Sequence, residues 1–282
     1  MPLDQEEAED SAQFPHERNM SFFDHVDELR RHVMRAFAFI SVGFVLAFIY
    51  IKEIVGGVIF APFKGNFVTY QIMCKMGKNL FGDERMCITP PVIQIQNLQL
   101  QGQFVAAFKI AFIAGLVLAF PFIVWELWKF IRPALSDKEV RKTRGTVFFV
   151  GMLFFIGVLF SYFILVPISV NFFANFSISD EVQNIVTMQN AVNYVSFLCL
   201  ATGLVFELPV LMYVLARVGI VTASFLRKNR RYAVVIIFIV AAVATPSPDM
   251  LSQLILALPL YSLYEVGILI AARSEKKEEQ AS

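Results

Sequence analysis

Histidine and charge are both scarce in this chain of 282 residues. It has three histidines, His16, His25 and His32, and all of them precede the first long apolar run. No histidine is therefore available at membrane depth for haem ligation, a zinc centre or a Ser–His nucleophile. The net charge of only +1 provides no field that would attract nucleic acid. The sequence also lacks a Gly-rich phosphate loop and a His-Glu-x-x-His motif.

Charged residues make up 17% of the chain, whereas 57% are hydrophobic, 30 of them phenylalanine, and the mean hydropathy is +0.63. A water-soluble surface cannot cover so much apolar material, which excludes a soluble globular enzyme and a disordered chain. About 20 apolar residues cross a hydrocarbon core of about 30 Å. The apolar stretches predict an all-α integral membrane protein with six transmembrane helices. They are Ala36 to Ile51, Phe104 to Trp125, a helix within Gly145 to Ser179, Ala191 to Ala216, Tyr232 to Thr245, and Leu251 to Ala272.

The fifth stretch has only 14 residues, which as a helix is about 21 Å long and is short for a full bilayer. Six spans put both termini on one side. Eighteen of the 24 Lys and Arg residues lie in the N-terminal segment, the 2–3 loop, the 4–5 loop and the tail, and five lie on the other side. The excess predicts that both termini are cytoplasmic.

Residues 1–19 and the tail 273–282 are predicted to be disordered cytoplasmic segments around a membrane domain at 20–272. The stretch 52–103 is the one long extracytoplasmic loop, large enough for a small folded cap. Cys74 and Cys87 lie in this loop. A disulfide between them is plausible because the compartment is oxidising in bacteria, and the alternative is two free thiols. The alternating glutamines from Gln94 to Gln101 fit a strand or an interfacial segment.

The segment Ser21 to Arg35 predicts a helix with one apolar face. Phe22, Val26, Leu29 and Val33 form that face, and Asp27, Glu28, Arg30 and Arg31 lie opposite. On the residues alone this is an amphipathic lead-in helix with local ion pairs. After the second span, Pro133 ends the helix, and Ser136 with Glu139 forms a capping box for the next one. Glu126 and Glu265 are interpreted as solvated positions at the membrane boundary.

Four segments, taken together and in order, resemble the TatC family, the multi-spanning receptor subunit of the twin-arginine protein translocase. They are His25 to Arg30, Trp128 to Glu139, Phe206 to Pro209, and Thr245 to Asp249 with Ser252 and Gln253. The resemblance runs from about Phe22 to Arg273. Two positions depart from the family pattern, because His32 stands where a second Arg is usual and Val140 interrupts the usual Glu-Arg-Arg.

The resemblance implies a concave bundle with short helices 5 and 6 and a cytoplasmic face that binds twin-arginine signal peptides. Two guanidinium groups need carboxylates, and the matching positions are Glu28 and Glu139. Phe130 and Pro133 would shape the loop, and Arg30 would hold the N-terminal helix or an acidic partner group.

The resemblance also implies partners and an intramembrane site. Glu207 would form a polar patch in the concave pocket. Thr245, Asp249 and Gln253 would be polar handles for single-span TatA- and TatB-type partners. The family implies a homo-oligomeric receptor complex in the bacterial inner membrane, driven by the proton-motive force, with no cofactor, metal or catalytic residue.

Two other classes are weighed against this one. A six-span secondary transporter would use Glu207 or Asp249 as a proton or ion site, and it predicts an internal inverted repeat that is not visible in the sequence. An intramembrane aspartyl enzyme needs a pair of aspartates, and Asp249 alone lies near a span.

Overall fold

The computed structural model describes residues 22–81, 87, 94–131, 145–179, 181, 184–217, 222–245 and 250–279, and they are mostly helical. The helices are α1 (Phe22–Ile49), α2 (Ile51–Ile54), α3 (Val68–Phe81), α4 (Gly102–Ile131), α5 (Thr146–Phe160), α6 (Val166–Asn175), α7 (Met188–Val205), α8 (Leu208–Arg217), α9 (Ala223–Lys228), α10 (Arg230–Ala244) and α11 (Met250–Glu279). Two-residue strands β1 (Ile95–Gln96) and β2 (Val186–Thr187) pair in parallel.

Local chemistry explains several helix boundaries. The side chains of Thr187 and Thr222 accept hydrogen bonds from backbone N–H groups three residues later and so cap α7 and α9. A π-helical turn, Ser161–Leu165, joins α5 to α6 just before Pro167. Proline has no N–H to donate, so the hydrogen-bond ladder changes register there while the chain stays helical.

Five helical stretches of the described chain are long and apolar enough to cross a membrane: Val26–Ile49, Gly102–Phe130, Val147–Asn175, Met188–Met212 and Ser252–Leu269. Helix α10 is also apolar but has 15 residues, about 22 Å, so the prediction of a short fifth helix is confirmed. The sixth is short only in its apolar part, because α11 as a whole has 30 residues.

Helix α11 also corrects the predicted tail. Residues 274–279 belong to this helix, although the sequence analysis predicts disorder from 273 onward. The segment is rich in Glu and Lys, which are good helix formers and which favour a helix that is already nucleated. The predicted disordered N-terminus, 1–19, lies outside the described residues.

Helices α1 and α4 run antiparallel. Helix α1 lies along α4, with Phe39 stacked on Phe122 at 4.9 Å between ring centroids near one end and Phe48 against Phe108 near the other. Midway, Gly43 and Gly115 bring the two backbones into contact. The main contacts then pass from α4 to α5 and α7, and from there to α10 and α11. Because α1 packs chiefly on α4, it lies at the edge of the bundle.

Polar contacts also join neighbouring helices. The Ser169 and Ser252 hydroxyls lie 2.5 Å apart and join α6 to α11. Lys109 donates to the Asn193 side chain at 2.7 Å and joins α4 to α7. The central core contains Leu165, Val192 and Leu198, all fully buried.

In the predicted loop 52–103, the described residues include a helical cap built around α3. The buried Tyr70 hydroxyl lies 2.9 Å from the Pro62 carbonyl and 3.0 Å from the Pro167 carbonyl, so it holds the cap against α6. Burial raises the pKa of Tyr70, so the phenol remains a donor at neutral pH. A disulfide joins Cys74 and Cys87, and β1 shows that part of the glutamine segment is a strand.

Candidate functional site

A buried carboxylate marks the end of the bundle where α1 begins and α4 finishes. Glu126 on α4 is 4% exposed and accepts a hydrogen bond from His32 Nδ1 on α1 at 2.7 Å. Lys129 donates to its other oxygen at 2.8 Å, and an Arg35 guanidinium nitrogen lies 3.7 Å away. These four residues are called the Glu126 cluster below.

The interpretation of Glu126 as a solvated boundary residue is therefore wrong. A carboxylate removed from water is costly unless it is paired and hydrogen-bonded, and both of its oxygens here have cationic or N–H partners. His32, at one of the two positions that depart from the resembled pattern, fills this role from about three turns into α1. Its ring also meets the Phe130 ring edge-on, with centroids 6.3 Å apart.

The predicted apolar face of α1 is not packed against the protein. Val26, Leu29 and Val33 are 45%, 40% and 56% exposed, whereas His32 is half-buried. In a bilayer, lipid covers apolar side chains as well as protein does, so the polar face is free to make the specific contacts. The amphipathic helix is thus present, but its predicted polar residues Asp27, Arg30 and Arg31 are exposed as well. Its polar contacts with α4 come from His32 and Arg35.

The predicted signal-binding residues fall at this same end where the structure describes them. Glu28 is half-buried on α1, one helical turn before His32, and Phe130 is half-buried on α4. Arg30 is exposed and lines a shallow depression that also holds Arg31 and Arg35. Pro133 and Glu139 lie outside the described residues.

Glu207 occupies the break between α7 and α8. Phe206 and Glu207 form a turn there, and the fully helical ladder resumes at Leu208, just before Pro209. Both carboxylate oxygens are buried without a well-formed hydrogen bond within the described structure, and they face the Phe154 backbone on α5. A helix break with a buried carboxylate at membrane depth is a functional candidate.

The three predicted handles for partner helices differ from one another. Thr245 is 4% exposed and its hydroxyl donates to the Ala241 carbonyl at 2.9 Å, and its role as a polar handle stays a prediction. The residue follows the last turn of α10, and the Ala241 carbonyl accepts from both the backbone N–H and the hydroxyl of Thr245. Gln253 is half-buried and donates to the Phe238 carbonyl at 2.9 Å, joining α11 to α10. Asp249 lies outside the described residues.

A second ion pair joins α10 and α11. Arg230 donates to Glu265 at 2.8 Å, and the Tyr261 hydroxyl donates to the other Glu265 oxygen at 3.0 Å. Glu265 is therefore paired while its side chain stays 29% exposed, which is compatible with its interpretation as a solvated boundary position. Neither ion pair resembles a catalytic arrangement, and within the described ranges no three His, Cys, Asp or Glu side chains are grouped to hold a metal ion.

These features define a multi-pass α-helical membrane protein. Its membrane-spanning helices have a cap on one side and charged clusters at helix ends. Comparison with known proteins identifies the family. The model for TatC, the Sec-independent protein translocase protein, matches residues 24–259, so the chain belongs to the TatC family. That family is a component of a protein translocase and is not an enzyme family.

Individual relatives agree with this assignment. The chain is 34% identical over 260 residues to the Sec-independent protein translocase protein TatC of Blattabacterium sp. subsp. Periplaneta americana, covering 92% of this chain and 97% of that protein. It is 37% identical over 250 residues to the TatC protein of Helicobacter pylori strain 26695, covering 88% and 85%. A crystal structure of the twin-arginine translocase receptor TatC superimposes with a TM-score of 0.63 at 25% identity, covering 89% of this chain and 99% of that chain.

The Glu126 cluster is the feature that sequence reasoning missed. The contact between Lys129 and Glu126 has a sequence signal, since the two are three residues apart on one helix. The contact with His32 has none, because the partners are 94 residues apart. The His32 departure from the family pattern was visible, but its partner was not.

Proposed function

We propose that this protein is the receptor and core subunit of a twin-arginine translocation system. It binds twin-arginine signal peptides at the cytoplasmic face, recruits single-span TatA- and TatB-type partners, and takes part in proton-motive-force-driven export of folded proteins. It resides in a bacterial inner membrane with both termini in the cytoplasm, as a homo-oligomer within a receptor complex. The observation that carries this proposal is the family match over residues 24–259.

The local geometry supports a peptide site near the start of α1. The His32 contacts with Glu126 and Phe130 bring the start of α1 beside the end of α4. Glu28 lies one turn before His32, about 6 Å along the axis, and so lies toward the end of α4 at Ile131. A carboxylate on α1 and another in the following loop would each pair with one guanidinium group.

The Glu126 cluster has a positioning role in this proposal. It locks the start of α1 to α4 through a buried, fully partnered carboxylate, which sets the place of Glu28 relative to Phe130. Its own carboxylate is occupied by His32 and Lys129, so it is not the acceptor of the signal-peptide arginines.

The test is photo-crosslinking of a twin-arginine signal peptide to purified protein in lipid nanodiscs. Glu28→Gln and Glu139→Gln keep the size of each side chain and remove its charge. Losing one charged hydrogen bond removes about 1.5–3 kcal/mol, so the affinity should fall about tenfold or more in each variant. The matched control is Glu53→Gln on the exposed surface of α2, which should bind as the parent does.

A peptide carrying Lys-Lys in place of Arg-Arg should respond weakly to either substitution, because an ammonium cannot form the bidentate pair. Normal crosslinking of the Arg-Arg peptide in both Glu variants would contradict the assignment of the two carboxylates. A chain that binds no signal peptide in any form would contradict the proposed function itself.

A further inference from the structure

A long apolar groove lies on the lipid-facing side of the protein, between α4 and α5. It encloses about 790 Å³, and Phe39 of α1 closes one side. Its walls carry large side chains that the protein leaves open, among them Phe122, Phe148, Met152, Ile156 and Leu159. Among the described residues that line it, the charged ones are Glu126 and Lys129, and both lie at one end.

The groove has the depth of one membrane leaflet. On α5 its lining runs from Val147 to Leu159, which are 12 residues apart, or about 18 Å of helix. Half of a hydrocarbon core of about 30 Å is about 15 Å. A groove that is charged at the membrane boundary and apolar down to about the bilayer centre matches the profile of a phospholipid.

The charge at the mouth is positive on balance. Lys129 and Arg35 have side chains 42% and 59% exposed, whereas the Glu126 side chain is 5% exposed and already bonded. Arg30 and Arg31 line the adjoining depression with Arg35, against the single acid Asp27. Two accessible cations beside a buried acid suit an anionic head group and disfavour an arginine-bearing peptide.

We propose that this groove is a binding site for an anionic phospholipid. One acyl chain lies along Phe122, Met152 and Ile156, and the phosphate is held by Lys129 and Arg35. Only the choice of leaflet rests on the proposed function, because the cytoplasmic orientation identifies this leaflet as the inner one. The lipid contacts themselves need no signal peptide, so the lipid titration below is done without one, and a signal peptide is added only as a competitor.

Trp125 lines the groove, is 52% exposed and reports on its occupant. The chain has 2 tryptophans, so Trp128→Phe leaves Trp125 as the sole emitter. The protein is reconstituted in vesicles of phosphatidylcholine in which either brominated phosphatidylglycerol or brominated phosphatidylcholine is titrated. Quenching of Trp125 then gives the affinity of each head group for the groove relative to bulk lipid.

We expect phosphatidylglycerol to be preferred about tenfold, since two basic side chains contact its head group. Arg35→Gln with Lys129→Gln should reduce that preference to near one. The matched control is Arg227→Gln with Lys228→Gln, which removes the same two charges from the exposed end of α9 and should keep the preference.

Equal quenching by the two lipids in the parent protein, or an equal loss of preference in the control pair, would overturn the proposal. A signal peptide that shields Trp125 from both brominated lipids would also overturn it, by showing that the groove holds peptide. Because Arg35 and Lys129 also contact Glu126, the double variant could fail to fold. Native mass spectrometry of the parent protein then tests the proposal. Selective retention of phosphatidylglycerol would support it, and no selective retention would overturn it.

Discussion

Adding one methyl group to Gly115 should force α1 and α4 apart. A Cβ atom built on Gly115 would lie 2.5 Å from the Phe44 backbone nitrogen and 2.9 Å from the Phe44 Cα, and one built on Gly43 would lie 2.8 Å from the Gly115 carbonyl oxygen. These neighbours are backbone atoms, so no rotamer change relieves the overlap. Overpacking of this kind costs about 1–3 kcal/mol.

Alanine is a better helix former than glycine by up to about 1 kcal/mol, which offsets part of this cost. The separation would also be transmitted to the Glu126 cluster, which lies on the same interface 11 residues along α4. Gly115→Ala should therefore lower the free energy of unfolding by about 1–2 kcal/mol. Thermal unfolding of the purified protein in detergent, followed by circular dichroism and by loss of the monodisperse elution peak, measures the effect.

The matched control is Gly267→Ala on α11. A Cβ built there meets no atom within 4 Å, so the substitution should be neutral or slightly stabilising. Gly43→Ala with Gly115→Ala should be less than additive, because the first methyl already separates the helices. A Gly115→Ala protein at least as stable as the parent would refute the close-contact reasoning.

Three further predictions concern single side chains. His32→Ala should lower the free energy of unfolding by about 2 kcal/mol, which is less than for an isolated buried pair because Lys129 still contacts Glu126. Adding Glu126→Gln to His32→Ala should restore part of the loss. Equal melting temperatures in the parent, the single variant and the double variant would contradict this. Cys74→Ser should destabilise the cap, because the disulfide to Cys87, with a sequence separation of 13, contributes about 3 kcal/mol. Limited proteolysis should then cut α3 faster, and an unchanged rate of cleavage would contradict the prediction. Glu207→Leu should abolish export of a twin-arginine reporter while thermal stability is kept or raised, because an unbonded buried carboxylate is removed; normal export would end the polar-patch role.

The membrane spans were readable from the sequence because the bilayer acts on composition and length alone. A helix inside hydrocarbon satisfies its own backbone groups, so a long apolar run is enough to predict it. The short α10 was readable for the same reason, since the apolar run itself is short. The rule is weaker outside the membrane, and the helix of α11 continues past the predicted start of the tail at 273.

The sequence by itself determined the all-helical membrane class, the spans, the expected orientation and the motifs that point to the family. Only the tertiary structure decided which side chains meet, because those contacts join residues far apart in the chain. It placed His32 and Arg35 of α1 against α4, buried Glu126 against His32, brought Gly43 into contact with Gly115 and buried Thr245. The physical reason is that lipid accepts any apolar surface, so hydrophobic pattern shows that a helix is in the membrane but not which face meets protein.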